Sequence, residues 1–194
     1  MKKNRIGALP GSPIACLVLA FSALLAPGIS AAQTASLTLE QRVRRVEDEL
    51  AIRRVLVDYA STQDARNYTA YAALFAKDGE WVNGRTVHKG REAIYKMLVD
   101  LYGMPPAGFV NGDSFHLTFN PEIDLKGDRA TVRSRHVLFL RGPKGEPVPS
   151  LAGRYEDEFI REDGAWKILR RVDFPVMPTA DEWMKFIRER NASR

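Results

Sequence analysis

The chain is poor in the side chains on which many functions depend: of 194 residues, one is cysteine and three are histidine. Cys16 lies inside an N-terminal apolar run, so everything beyond it lacks a thiol for a disulfide, for nucleophilic catalysis or for a cysteine-built zinc site. His88, His116 and His136 stand at no helical metal-ligand spacing and belong to no zinc motif, so no metal and no cofactor is expected. The one long apolar run, Ile14 to Leu25, is short for a bilayer span. It follows Lys2, Lys3 and Arg5 and ends at Pro27-Gly28 and the small residues Ser30 and Ala32, the pattern of a secretory signal over 1–32. Export to a periplasmic or extracellular compartment is expected, with no membrane anchor once the signal is removed.

Charge of one sign is also scarce. The formal net charge is +5, but the leader holds three basic residues and no acidic ones, which leaves 26 basic and 24 acidic side chains in 33–194. Arg44, Arg45, Arg53 and Arg54 are interleaved with Glu47, Asp48 and Glu49. A field able to hold a phosphate backbone is missing, and nucleic acid is excluded as a partner. The overall balance, 45% hydrophobic and 27% charged with 14 Gly and 11 Pro, excludes collagen-like and disordered classes. A chain of this size buries about two thirds of its unfolded surface and needs no staples.

Helical signals fill the first half. Thr38 and Gln41 form a capping box ahead of Leu39, Val43, Val46, Leu50, Val55 and Tyr59, which predicts one long amphipathic helix. After Gln63-Asp64-Ala65-Arg66, a shorter helix is expected from Asn67, carrying Tyr71, Leu74 and Phe75 until Asp78-Gly79 stops it. A short strand over 80–83 follows, then a polar loop containing His88, then a helix over 91–102 that ends at Gly103. From Ser114 the pattern changes to extended runs over 114–125, 129–141, 151–162 and 165–173, separated by Gly-containing turns. That predicts an antiparallel meander. Thr179 and Glu182 cap a last helix, about 180–191, with Trp183, Phe186 and Ile187 on one face. The fold class is α+β, with N-terminal helices on a curved, mostly antiparallel sheet, and 33–194 reads as one domain with its core at about 38–174.

The segments resemble the SnoaL-like family of the nuclear transport factor 2-like superfamily, a group that includes scytalone dehydratase, steroid delta-isomerase and hexachlorocyclohexane dehydrochlorinase. The likeness rests on Ile52 to Tyr59 leading to Gln63-Asp64-Ala65-Arg66-Asn67-Tyr68, on Leu74 to Trp81, on Gly90-Arg91-Glu92-Ala93-Ile94, on Phe115-His116-Leu117-Thr118-Phe119-Asn120, on Tyr155-Glu156-Asp157 and on Asp163 to Ile168. It implies a cone-shaped α+β barrel open onto an apolar pocket, in a homo-oligomer, a dimer or larger, paired through the sheet. It also implies that Asp64 and His116 form a catalytic dyad, and that Phe75, Trp81 and Tyr155 line the pocket, with His136 within reach from the next strand.

The chemistry of such a pair stands on its own. Imidazole titrates near ~6.5, which suits proton removal at neutral pH, and a carboxylate beside it fixes the tautomer and stabilises the imidazolium. Donors aimed at a substrate oxygen would lower the barrier further, and Tyr59 and Asn120 are the candidates. By strand parity His116, Thr118 and Asn120 share one face. The reading is a lyase or isomerase acting without a cofactor on a small apolar or cyclic molecule. The alternatives are a carrier of a hydrophobic ligand and an oligomeric interaction protein of the same fold.

Overall fold

The computed structural model describes residues 37–192; the leader, with Cys16, lies outside them. Helix α1 (Leu39–Asp64) begins at the expected capping box, in which Thr38 and Gln41 satisfy each other's backbone N–H. Helix α2 (Tyr68–Ala73) is capped by the Asn67 side chain, and helix α3 (Arg91–Tyr102) ends at Gly103. Strands β1 (Phe75–Asn83) and β2 (Thr86–Lys89) form a hairpin; β3 (Ser114–Lys126), β4 (Arg129–Arg141), β5 (Pro147–Glu162) and β6 (Ala165–Met177) form a meander; helix α4 (Ala180–Ala192) closes the described chain. No helix among the described residues is long and apolar enough to cross a membrane.

The strands make one curved, open sheet in the order β2-β1-β6-β5-β4-β3, with β2 and β3 as its two edges. Every pairing is antiparallel except β1 with β6, so the sheet is mixed. The parallel pair arises because α3 carries the chain away after the β1–β2 hairpin and β6 returns beside β1. Asp163-Gly164 joins β5 to β6 with both residues at positive φ, a turn whose twist matches its strands.

Three sequence expectations need correction. The second helix stops at Ala73, and Phe75 opens β1: Ile168 N–H donates to Leu74 O at 3.0 Å, which draws the chain onto β6. The expected polar loop around His88 is strand β2, made possible by the Gly84-Arg85 turn, in which Gly84 takes positive φ, with His88 half-buried against Trp81. The last two strands also run past their expected bounds. Pro147 and Pro149 lie where β5 has no β6 partner, and Pro175 lies beyond β1, so no ladder bond is lost at these prolines.

The core sits between the helices and the concave face of the sheet, where Ile52, Leu56, Tyr59, Tyr71, Phe75, Ile94, Leu98, Val132, Phe159, Trp166 and Ile168 are all buried. Burial is the main stabilising term, roughly 1.5–3 kcal/mol for each large side chain removed from water. Only the second half of α1 takes part. Asp48 is the tie between its first half and the sheet, accepting from Arg161 Nη2 and, at 3.1 Å, from Trp166 Nε1.

Candidate active site

Asp64 is the last residue of α1, and His116 is the third residue of edge strand β3. Their side chains meet: His116 Nδ1 lies 2.5 Å from Asp64 Oδ1, and the His116 backbone N–H donates to Asp64 Oδ2 at 3.1 Å. Both carboxylate oxygens are therefore used on one residue. An ionised carboxylate only accepts, so this contact assigns the proton to Nδ1 and leaves Nε2 as the basic nitrogen. The two side chains are 19% and 13% exposed, shielded enough to strengthen the pair and open enough to be reached.

His116 lines a cleft of about 80 Å³ together with Gln63 in the last turn of α1, Arg66 just beyond it, Tyr102 at the end of α3, Leu138 and Leu140 of β4, and Trp183 and Ile187 of α4. Trp183 packs against Leu138, Leu140 and Leu151, so α4 forms one wall. Tyr102 supplies a hydroxyl donor to the cleft lining. Its hydroxyl accepts from Gln63 Nε2 at 3.1 Å, and its own proton has no acceptor among the described residues. Burial pushes that phenol up to about 12, so it stays protonated at neutral pH.

Beneath the cleft the interior is polar, aromatic and filled. His116 pairs across the ladder with Leu138, and Leu138 shares its face with His136, so both histidines project to the concave side as diagonal neighbours. His136 Nε2 lies 3.0 Å from Asp173 Oδ1, and its ring stacks on Tyr155 at 4.2 Å. Opposite it on β5 is Gly153, where an added Cβ would stand 2.5 Å from His136 Nε2 and 2.6 Å from a backbone oxygen; only glycine leaves room for that ring.

Deeper still, Arg171 makes a bidentate pair with Asp157 at 2.7 and 2.8 Å, both side chains being fully buried. Its guanidinium lies 3.8 Å from the Tyr59 ring centroid and 4.2 Å from that of Tyr155. Burial opposes the charge of such a cation, but Asp157 and the two tyrosines more than offset it, and the affinity of Arg171 for its proton is raised well above the ordinary value. Arg171 Nη1 has no hydrogen-bond partner among the described residues.

The structure thus brings Asp64 and His116 together and sets several other expected residues apart from the cleft. Tyr59 is buried, and its hydroxyl is occupied as acceptor for Trp81 Nε1–H at 3.1 Å, so neither residue reaches the opening. Phe75 is wholly buried in the core, its ring packed at a tilt against Tyr59 and Tyr71. His136 and Tyr155 belong to the interior layer below His116. Asn120 is exposed. A bulge between Phe119 and Glu122 puts it at φ 52° and breaks the alternation that parity assumed, leaving Asn120 in a separate hollow beside Glu122 and Arg133.

Sequence reasoning missed Tyr102, Gln63 and Arg66 as cleft residues and gave Trp183 only as part of an apolar helix face. It also missed Asp157, Arg171 and Asp173. Their signal was present, because Tyr155, Asp157 and Phe159 alternate on one face of β5, which puts a carboxylate at a core position.

The α+β architecture is that of the nuclear transport factor 2-like proteins. It is similar to an NTF2-like protein with a cystatin-like fold from Novosphingobium aromaticivorans, at 24% identity and a TM-score of 0.64, covering 76% of this chain and 95% of that one. Residues 44–172 match the SnoaL-like domain, and the chain belongs to that family. A protein from Novosphingobium aromaticivorans provisionally described as a scytalone dehydratase is 30% identical, with a TM-score of 0.58, over 70% of this chain and 89% of its own. An uncharacterized protein of Mycobacterium tuberculosis is 28% identical over 138 residues, which is 68% of this chain and 87% of the relative.

Proposed function

We propose that the protein is a cofactor-independent lyase of the dehydratase type, or an isomerase, in which His116 removes a proton from carbon in a small, largely apolar cyclic substrate. The observation that carries this reading is the Asp64–His116 contact, which couples a carboxylate at one end of a helix to an imidazole beside a cleft. Nε2 takes the proton, and Asp64 stabilises the imidazolium through Nδ1–H. The electron pair left on carbon moves into an adjacent carbonyl, and the Tyr102 hydroxyl donates to the oxygen on which charge develops. In an elimination Nε2–H returns its proton to the β-hydroxyl, which leaves as water as the enolate re-forms the carbonyl; return of the proton to another carbon completes a double-bond shift. Leu138, Leu140, Trp183 and Ile187 give the cleft its apolar walls. The likeness to a provisionally described dehydratase supports the same class.

The cleft, about 80 Å³, is smaller than the roughly 300 Å³ at which ordinary ligand pockets begin, so substrate entry requires α4 to move outward on its Trp183 anchor. The test is conversion of a panel of cyclic β-hydroxy ketones to conjugated enones, followed by absorbance. His116→Gln is expected to lower the rate by about 10²- to 10⁴-fold without unfolding the protein. Turnover that survives in His116→Gln overturns the assignment, and ligand binding without turnover in the wild type makes the protein a carrier.

A further inference from the structure

Helix α1 carries two apolar stripes on opposite sides. Ile52, Leu56 and Tyr59 face the sheet, whereas Leu39, Val43, Val46, Leu50 and Val57 are all exposed. At 100° per residue the second stripe lies roughly 150° around the helix from the first. Every residue over 37–47 is exposed.

The exposed stripe keeps a heptad rather than a 3.6-residue repeat. Val43, Leu50 and Val57 occupy a positions, and Leu39 and Val46 occupy d positions, with Arg53 at the remaining d. We propose that this seam pairs with the same seam of a second copy of the chain, as a short parallel coiled coil. The flanking charges set the direction. In parallel register a g residue faces the e residue five positions on, which puts Arg42 beside the partner's Glu47 and Glu49 beside the partner's Arg54. Two-fold symmetry makes four attractive pairs. Antiparallel alignment of the same four apolar layers, 39 with 50 and 43 with 46, sets Glu40 beside the partner's Glu47 and Arg42 beside the partner's Glu49, so repulsion offsets attraction and the parallel pairing is favoured.

The rest of the fold permits the arrangement. The face of α1 that holds the body is opposite the seam, so two bodies sit outside the helix pair, on either side of its axis. Leu39 to Val57 supplies roughly 27 Å of seam. Arg53 is the polar d residue that fixes register at a cost in stability, its stem lying along the seam and its head reaching water. The intrachain pairs Arg45–Glu49 at 3.6 Å and Arg54–Asp58 at 2.9 Å each join an exposed arginine to a half-buried carboxylate, and solvent screening keeps them weak competitors.

Sedimentation velocity of the full chain tests this directly, and it does so independently of any activity. Val46→Asp with Leu50→Asp is expected to halve the particle mass with unchanged circular dichroism, since both sites are exposed. Arg42→Glu is expected to weaken association, and adding Glu47→Arg to restore it. In a Cys16→Ser background, Leu39→Cys should give disulfide-linked pairs on mild oxidation, and Arg44→Cys, on another face of the helix, should not. A mass unaffected by the double aspartate variant overturns the proposal, as does failure of Leu39→Cys to cross-link.

Discussion

The Asp64 carboxylate grips His116 at two points, its ring Nδ1 at 2.5 Å and its backbone N–H at 3.1 Å. One side chain thereby sets the orientation of the imidazole and also fastens the end of α1 to the edge strand β3. Removing it should damage chemistry and stability together. Asp64→Ala is expected to cost about 2 kcal/mol in denaturant unfolding, the loss typical of hydrogen bonds to a charged group. Asp64→Asn should retain more of that stability and still lose activity, because an amide can present its carbonyl to Nδ1–H but cannot stabilise an imidazolium as an anion does. Equal stability of wild type and Asp64→Ala would show that the contact does not hold the two elements together.

The ion pair Arg171–Asp157 is a further structural commitment, fully buried between Tyr59 and Tyr155. Asp157→Ala leaves an uncompensated cation in the core and is expected to destabilise by about 3–5 kcal/mol. Replacing both partners, Arg171→Met with Asp157→Leu, should recover most of that loss in thermal melts. A double variant as unstable as the single one would contradict this account of the pair.

Gly153 controls where His136 sits. Gly153→Ala places a methyl group against Nε2 and a backbone oxygen, so the ring must leave Asp173 and Tyr155. The expected result is a shifted His136 imidazole resonance in NMR and a loss of stability on the order of 1–3 kcal/mol. An unmoved resonance would show that the strand can yield instead of the ring.

Burial raises the phenols of Tyr71 and Tyr155 well above the ordinary value of 10 and that of Tyr102 to about 12. The folded state holds these protons after the unfolded chain would release them. Their contribution to stability is therefore complete below pH ~10 and is lost as pH rises from 10 toward 12. Absorbance at 295 nm should show Tyr71 and Tyr155 ionising together with unfolding. Ionisation of these two near pH 10 in a folded protein would contradict their burial.

Local chemistry made much of the fold legible. The Thr38–Gln41 capping box, Gly103 after α3 and the Asp163-Gly164 turn each act through near neighbours, and each stands where the sequence places it. Long-range effects were not legible in the same way. Val43, Val46 and Leu50 read as one stripe with Val55 and Tyr59, yet the sheet covers only the second half of α1 and faces its other side. Phe75 continues a helical spacing from Tyr71, but pairing with Ile168 on β6 draws it into a strand. The Asp64–His116 contact was reached through family resemblance, since 52 residues separate the two and no periodicity joins them. Asn120 was misplaced because one bulge reverses every later position on the strand.

Carbon–proton exchange tests the central claim without requiring the net reaction to be known. Cyclic ketones incubated with the protein in D₂O should take up deuterium next to the carbonyl, at a rate that falls by at least about 10²-fold in His116→Gln. Exchange that proceeds in that variant as fast as in the wild type, or that is absent from both, would contradict the assignment of His116 as the base.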